Sequence, residues 1–151
     1  MSDNDLIHET VEKLTSLHGQ DIDVSTLPNI HRNVLLVNLA DYLIGNGGFQ
    51  FMFERPIPGD PQFQLTANAH NDIGASKGFV AFQKSLKGTL GIRPTSIIAR
   101  PFNRFRTAYT LFNAAFLGRD TADTLYWDSA EETRSALANY IRKNNDSLDT
   151  R

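Results

Sequence analysis

A pair of adjacent glycines, Gly47-Gly48, constrains the fold of this chain more than any other feature. The pair separates a long apolar run, residues 30–44, from a short aromatic cluster, residues 49–53. Apolar positions in the run cover more than one helical stripe, which predicts a central and largely buried helix. Because glycine weakens a helix and readily adopts left-handed backbone, we expect this helix to end at the glycines. The aromatic cluster is then predicted to form a second, short helix.

Two interpretations of the segment Asn46-Gly47-Gly48-Phe49 follow from its residue types. In the structural one, Asn46 or Gly47 takes a left-handed conformation that caps the helix, and Phe49 packs back on it. In the functional one, the missing side chains let the N–H groups of Gly47 and Gly48 approach a ligand or a partner's carboxylate. The segment lacks the Gly-Lys-Ser/Thr ending of a phosphate-binding loop and follows a helix, so no nucleotide site is predicted.

Helical spacing and capping signals recur along most of the chain. Asp60 is predicted to cap a helix that has Pro61 in its first turn, and Ser129 is predicted to form a capping box with Glu132. Further helices are predicted over residues 5–18, 75–86 and 103–117, with a short turn or helix at 120–127 and a loop or extended segment at 88–101. The predicted fold class is therefore all-α, a compact single-domain bundle of about six to seven helices.

Length and composition restrict the class of protein. The 151 residues fit one domain, in which residues 1–24 form an N-terminal amphipathic helix and link, and residues 145–151 form a frayed tail. No apolar stretch approaches the roughly 20 residues of a membrane span. The acidic, polar N-terminus lacks the features of a secretory signal, which predicts a cytoplasmic protein. Since there are no cysteines, disulfides and thiolate metal sites are excluded.

Residues able to support catalysis or metal binding do not assemble into a recognisable pattern. His8 and Glu12 are four apart on the first helix, but two ligands on a surface helix make a weak metal site. His70 is predicted to be buried and hydrogen-bonded. Asp123 and its neighbours lack the spacing of a calcium loop and are predicted to cap helices. We therefore expect no enzymatic activity, no cofactor and no metal.

Charge is unevenly distributed along the chain. The net charge is −2, yet no acidic residue occurs between Ile73 and Arg119. One interpretation is that the acidic ends of the chain neutralise this basic middle, or that the bases are scattered over a solvated surface. The other is a basic patch that binds an anionic partner, because arginine alternating with aromatic residues can contact phosphate and stack on bases. The candidate partner-binding residues are Lys84, Lys87, Arg93, Arg100, Arg104 and Arg106.

An ordered series of short segments carries a family resemblance. The segments are Asn46–Phe49, Ala69–Ala75, Asp123–Trp127 and Leu137–Ile141. Together they resemble a bacterial domain family of largely unknown function whose best-known member is a DNA-mimic protein. The likeness covers about residues 35–144, taken as the family-like core. It implies an all-α fold, an option of homodimerisation and no enzymatic activity.

DNA mimicry itself requires a dense array of surface carboxylates, because a DNA-binding partner senses phosphate charge. A net charge of −2 does not supply that array, and the first helix, with Asp3, Asp5, Glu9 and Glu12, is its one continuous acidic candidate. The sequence therefore favours a non-enzymatic domain that binds a partner protein, as a bacterial regulatory, inhibitory or immunity-type protein. The alternative is a nucleic-acid- or anion-binding module that uses the basic region 77–119.

Overall fold

The structure, a computed structural model, describes residues 2–87 and 121–148. Within these ranges the chain forms seven α-helices and a 3₁₀ turn at Val24–Thr26, and no strand occurs. The helices are α1 (Asp3–His18), α2 (Asn29–Phe53), α3 (Gln64–Asp72), α4 (Ser76–Lys87), α5 (Ala122–Asp128), α6 (Ala130–Lys143) and α7 (Asn145–Leu148). The predicted all-α fold is confirmed, whereas the elements predicted at 88–101 and 103–117 lie outside the described residues. None of the described helices is long and apolar enough to cross a bilayer.

Helix α2 is the central element, as its apolar pattern predicted. It packs against α1, α3, α5, α6 and α7. Val34, Leu36 and Ile44 are fully buried along it. Since these side chains point in several directions around the helix, the rest of the bundle assembles around α2 and not beside it.

The predicted break in α2 occurs at the glycine pair. Gly47 has φ −170° and ψ 20°, and Gly48 has φ 71° and ψ −172°, so both depart from helical geometry. Helical hydrogen bonding resumes at once, and α2 therefore continues as a kinked helix to Phe53 instead of ending. The residue with positive φ is Gly48, not Asn46 or Gly47 as the capping interpretation had it.

An aromatic cluster forms the centre of the core beyond the kink. The ring of Phe49 lies 4.9 Å from that of Phe82 in an edge-to-face arrangement and 5.8 Å from that of Tyr126. Phe53 continues the cluster toward Phe63 at 5.0 Å. Each of the two edge-to-face pairs of Phe49 contributes about 0.5–1.5 kcal/mol of stability beyond that gained by burying the ring surface. The cluster joins α2 to α4 and α5, and so connects the two described parts of the chain.

Helix α3 begins three residues later than predicted. Asp60 does act as its cap, but across a loop: its carboxylate accepts hydrogen bonds from the N–H groups of Leu65 and Thr66 at 3.0 and 2.8 Å, and from the Thr66 hydroxyl. The residue preceding α3 is Phe63, with φ 58° and a fully buried ring. We infer that burial of this ring moves the start of the helix from Pro61 to Gln64. A tertiary contact thus overrides the local capping signal.

The capping box predicted for Ser129 and Glu132 is absent. The Ser129 hydroxyl instead donates to the carbonyl of Tyr126 at 2.8 Å, at the end of α5. A capping box does open α5, where the hydroxyls of Thr121 and Thr124 bond to each other's backbone N–H groups. Because α5 and α6 meet at Ser129, this serine satisfies the end of one helix and not the start of the next.

His31 of α2 hydrogen-bonds to the end of α1 and to the last described helix, α7. His31 Nε2 donates to the carbonyl of Ser147 at 3.2 Å, which leaves Nδ1 to accept from His18 Nε2 at 2.8 Å. Leu148 is buried, so residues 145–148 are a docked helix and the expectation of a tail frayed from residue 145 is wrong for them. Burial, with His31 as a secondary cause, lowers the pKa of His18, which favours the neutral pair that this hydrogen bond requires.

Replacing Asp60 with alanine should destabilise the fold by roughly 2–3 kcal/mol, because two backbone N–H groups and one hydroxyl lose a buried carboxylate acceptor. Urea denaturation followed by circular dichroism measures the loss. Asp128→Ala, at an exposed aspartate, is the matched control and should shift stability by less than about 0.5 kcal/mol. Equal stabilities for the two variants would contradict the assigned role of Asp60.

Candidate functional site

The kink in α2 is held by side chains from α5 on both sides of the glycines. The N–H of Phe49 donates to Asp123 Oδ1 at 2.7 Å, and the Trp127 indole donates to the carbonyl of Ile44 at 3.1 Å. A Cβ atom on Gly48 would lie 2.7 Å from the same carboxylate oxygen. The absence of a side chain at Gly48 therefore allows the carboxylate to reach the backbone.

This arrangement bears on both interpretations of the glycine segment. Phe49 packs inward, as the structural interpretation predicted. The carboxylate at this segment belongs to Asp123 of the same chain and accepts from Phe49, not from Gly47 or Gly48, so binding of a ligand or partner there stays a prediction. Asn46 contributes its side-chain amide, which donates to the carbonyl of Tyr42 at 2.6 Å. Within the described residues, Phe49 of this segment therefore links α2 to α5 through its bond to Asp123.

His70 and Tyr126 form a buried hydrogen-bonded pair beside this cluster. The carbonyl of Thr66 can only accept, so His70 Nδ1 donates to it at 2.8 Å and Nε2 accepts from the Tyr126 hydroxyl at 3.0 Å. Burial lowers the pKa of His70 to about 4 and raises the pKa of Tyr126 well above its usual value. Both rings are almost fully inaccessible, so no substrate reaches them and the pair serves packing. The prediction of a buried, hydrogen-bonded His70 is confirmed.

Gly78 lets α4 approach this pair closely. A Cβ atom there would lie 3.0 Å from His70 Cδ2 and 3.2 Å from the hydroxyl oxygen of Thr133. That hydroxyl is buried and has no hydrogen-bond partner among the described residues. A side chain at position 78 would therefore press on both His70 and this hydroxyl.

Two of the six basic residues predicted to bind a partner lie within the described ranges, and four do not. Lys84 and Lys87 are exposed in the last turn of α4, while Arg93, Arg100, Arg104 and Arg106 lie outside the described residues. Lys77, earlier on α4, pairs with Glu132 at 2.7 Å. Within residues 2–87 and 121–148, no three His, Asp or Glu side chains are arranged to hold a metal ion. His8 and Glu12 lie 3.4 Å apart on the surface, as a solvated pair.

Two adjoining concave features lie along a seam between α1 and α2. They are a cleft of about 470 Å³, which α6 also lines, and a smaller apolar groove of about 200 Å³ beside the link 19–24. Val11 and Asn38 line both, so the two adjoin at the middle of α1. Leu39 borders the groove at 36% exposure, and Tyr42 borders the cleft at 64%.

The seam was not predicted from the sequence. Leu39 and Tyr42 belong to the apolar run that predicted a central and largely buried helix, and apolar residues on more than one stripe of α2 give no sign of which ones α1 fails to cover. The acidic character of α1 was recognised. In the structure Asp5, Glu9 and Glu12 are exposed at helical spacing i, i+4 and i+7, which places them on one outward stripe of α1. Of the three, Glu12 lies nearest the seam, about 40° around the helix from the lining residue His8.

The backbone of Gly48 predicts a strong effect of adding one methyl group. Its φ and ψ fall in a region that is essentially restricted to glycine, and a Cβ atom would displace the Asp123 carboxylate. Gly48→Ala should therefore cost roughly 2–4 kcal/mol of unfolding free energy, measured in urea. Gly45→Ala is the matched control, since nothing lies within 4 Å of its Cβ position and helical alanine is favoured by about 0.5–1 kcal/mol. A tolerated Gly48→Ala would show that the kink is not required.

Burial of His70 predicts a loss of stability in mild acid. Its folded-state pKa of about 4 lies below the ordinary 6.5, so between these values the unfolded state binds more protons and stability falls as pH is lowered. The loss should approach about 3 kcal/mol near pH 4. Denaturation curves between pH 7.5 and pH 4 should show a weaker pH dependence for His70→Gln than for the wild type or for the surface control His8→Gln. Equal slopes for all three would contradict the assignment.

Comparison with known proteins identifies a family. A family model described as DMP19-like protein matches residues 25–144, which run from the 3₁₀ turn to the end of α6 and leave α1 and α7 outside. No curated protein and no solved structure matches the chain. Because the match extends over most of the chain, the protein belongs to the DMP19-like family.

Proposed function

We propose that this protein is a non-enzymatic interaction domain that binds a partner protein through an acidic surface, and that the partner is a DNA-binding protein. The family supports this proposal, since its name refers to DNA mimic protein 19. A mimic of this kind offers carboxylates in place of phosphates to a basic surface. The corresponding biological role is that of a small regulatory, inhibitory or immunity-type protein.

The acidic residues of the described helices carry the proposal. Fifteen of the seventeen acidic residues lie in the described ranges, but only nine of the fifteen basic residues do. The described helical scaffold, residues 2–87 and 121–148, therefore has a formal net charge of −6, against −2 for the whole chain.

Several of the scaffold's acids are committed to internal contacts. Asp60 caps α3 and Asp123 holds the kink, while Asp41 pairs with Arg134 at 2.9 Å and Asp3 pairs with Arg142 at 2.6 Å. Most of the remaining acids lie on the exposed surface, and those on α1 form the densest group. They include Asp5, Glu9 and Glu12 on α1, Asp21 in the link, Asp128 and Glu131 near the start of α6, and Asp146 on α7.

Three carboxylates on α1 form a short line of negative charge. At 1.5 Å per residue, Asp5 and Glu9 lie about 6 Å apart along the helix axis and Glu9 and Glu12 about 4.5 Å apart, which is wider than the roughly 3.4 Å of axis per charge along one DNA strand. The line therefore offers closely spaced charges to a basic partner without matching the DNA interval. Asp5 also bonds to the Ser2 amide and hydroxyl, and these bonds lower the pKa of its carboxyl, which keeps the charge in place.

A capture experiment tests the proposal. The tagged chain is incubated with lysate of its native host, with and without nuclease, and eluted with a short DNA duplex. We expect one stoichiometric protein that survives nuclease and is released by the duplex, because mimic and DNA compete for one basic surface. Recovery should fall at least roughly tenfold for Glu9→Gln/Glu12→Gln, if each lost charge contributes about 1 kcal/mol.

The matched control neutralises two other exposed acids, Asp128→Asn/Glu131→Gln, and so changes the net charge equally. It should retain most of the capture. A partner that the duplex does not release would exclude mimicry but leave a protein-binding role. Absence of any nuclease-resistant partner would contradict the proposed function as a whole.

The second candidate is nucleic-acid binding by the basic region. Exposure of Lys84 and Lys87 at the end of α4, within the acid-free stretch 73–119, favours it. The same capture experiment discriminates, because recovery of many proteins that disappear with nuclease would support this candidate. The variant Arg100→Glu/Arg104→Glu/Arg106→Glu should then lose a salt-dependent shift with DNA.

A further inference from the structure

We propose that the seam between α1 and α2 is the docking groove for a basic amphipathic helix of the partner protein. This inference rests on the proposed function and goes beyond it by assigning the surface and the form of the partner segment. Five lining residues, from Asn4 to Thr15, lie on α1, which precedes the family-matched residues 25–144, so the groove is a feature of this chain and not of the matched core alone.

The dimensions of the seam suit one helix face. Its lining on α1 runs from Asn4 to Thr15, which corresponds to about 17 Å at 1.5 Å per residue. A partner helix of about three turns covers that length and presents apolar residues at i, i+4 and i+7. The cleft and the groove adjoin at Val11 and Asn38, so successive anchors of a single helix can enter both.

Apolar side chains supply the attraction. Leu36 and Ile57 form a buried floor beneath the 200 Å³ groove, and Leu39 stands partly exposed at its edge. A cavity of about 150 Å³ accepts a benzene molecule, so this groove can take one leucine or phenylalanine side chain. Tyr42, beside the cleft, adds an exposed ring with a polar tip, the kind of side chain enriched at interface hot spots.

The charges around the seam determine which residues should flank the apolar stripe of the partner helix. Among the residues that the structure describes, none with a charged side chain lines the apolar groove, and Asp21 lies between two lining residues of the link, Gln20 and Ile22. At 100° per residue, Glu12 lies about 60° from Thr15 around α1, at the rim of the groove. In the cleft, Arg134 is paired with Asp41, so its charge is compensated. A helix with an apolar stripe between lysine or arginine residues complements this layout.

The same charges disfavour other occupants. Duplex DNA would meet Glu12 and Asp21 with its phosphates, and a second copy docking through its own α1 would bring Asp5, Glu9 and Glu12 against like charges. A basic helix gains from both the apolar lining and the acidic rim. DNA-binding proteins commonly read the major groove with such a helix, which connects the seam to the proposed partner class.

Fluorescence anisotropy with a defined probe tests the groove directly. The probe is a fluorescein-labelled peptide of about 14 residues, with leucine at i, i+4, i+7 and i+11 and lysine at the flanking positions. An otherwise identical peptide with glutamate in place of lysine is the charge control. We expect saturable binding of the lysine peptide, and binding at least roughly tenfold weaker for the glutamate peptide.

Two substitutions locate the site. Leu39→Lys places a charge at the edge of the groove and should weaken binding of the lysine peptide roughly tenfold or more, from lost apolar contact and added repulsion. Val80→Lys is the matched control, because Val80 is an exposed apolar residue on α4, at 56% exposure, and does not line the seam. Asp21→Asn tests the rim and should weaken binding by a few-fold. Circular dichroism verifies that each variant is folded.

The outcomes separate failure of the groove from failure of the proposed function. Equal binding of both peptides, or equal effects of Leu39→Lys and Val80→Lys, would overturn the docking groove. If Leu39→Lys also still captures a duplex-released partner from lysate, the proposed function stands and another surface carries it. If the wild type captures no such partner although the lysine peptide binds at Leu39, the proposed function fails and the groove serves another basic helix.

Discussion

The bond between the Asp123 carboxylate and the N–H of Phe49 is the interaction on which the rest of the structure depends. This bond stabilises the kink in α2, and the residues after the kink place the Phe49 and Phe53 side chains in the core. It also joins α5 to the first described part of the chain across 74 positions of sequence. Asp123 is partly buried, so its carboxylate is stabilised by this donor, and the missing side chain at Gly48 gives the carboxylate room to reach it.

The seam between α1 and α2 depends on this central packing. The kink directs the second half of α2 toward α4 and α5, while α1 lies over the first half and contacts α6 as well. His31 adds the contacts that tie His18 and Ser147, the flanking residues beyond the family-matched core, to α2. The family core and its two flanking helices therefore share one surface, on which exposed acids and partly exposed apolar residues lie side by side.

Much of the local structure was predictable from residue types, and the errors share one cause. The positions of α1, α4 and the end of α6 followed from helical periodicity, and the break at Gly47-Gly48 followed from glycine. The start of α3, the hydroxyl of Ser129 and the docking of Leu148 were predicted wrongly, because each is decided by a distant partner. Phe63 packs against Phe53, and the Ser129 hydroxyl bonds to the preceding helix. Leu148 is buried next to Ser147, whose carbonyl accepts from His31. Local rules cannot include such partners.

The sequence by itself determined that this protein is all-α, that α2 is central and that its continuity is interrupted at Gly48, since periodicity and backbone freedom are properties of the chain alone. It also determined the acidic stripe of α1. Only the tertiary structure decided that Asp123 meets Phe49, that Leu39 and Tyr42 stay exposed while Leu36 is buried, and that the acids border a groove. Burial and pairing depend on which helices meet, and residues far apart in sequence determine that together.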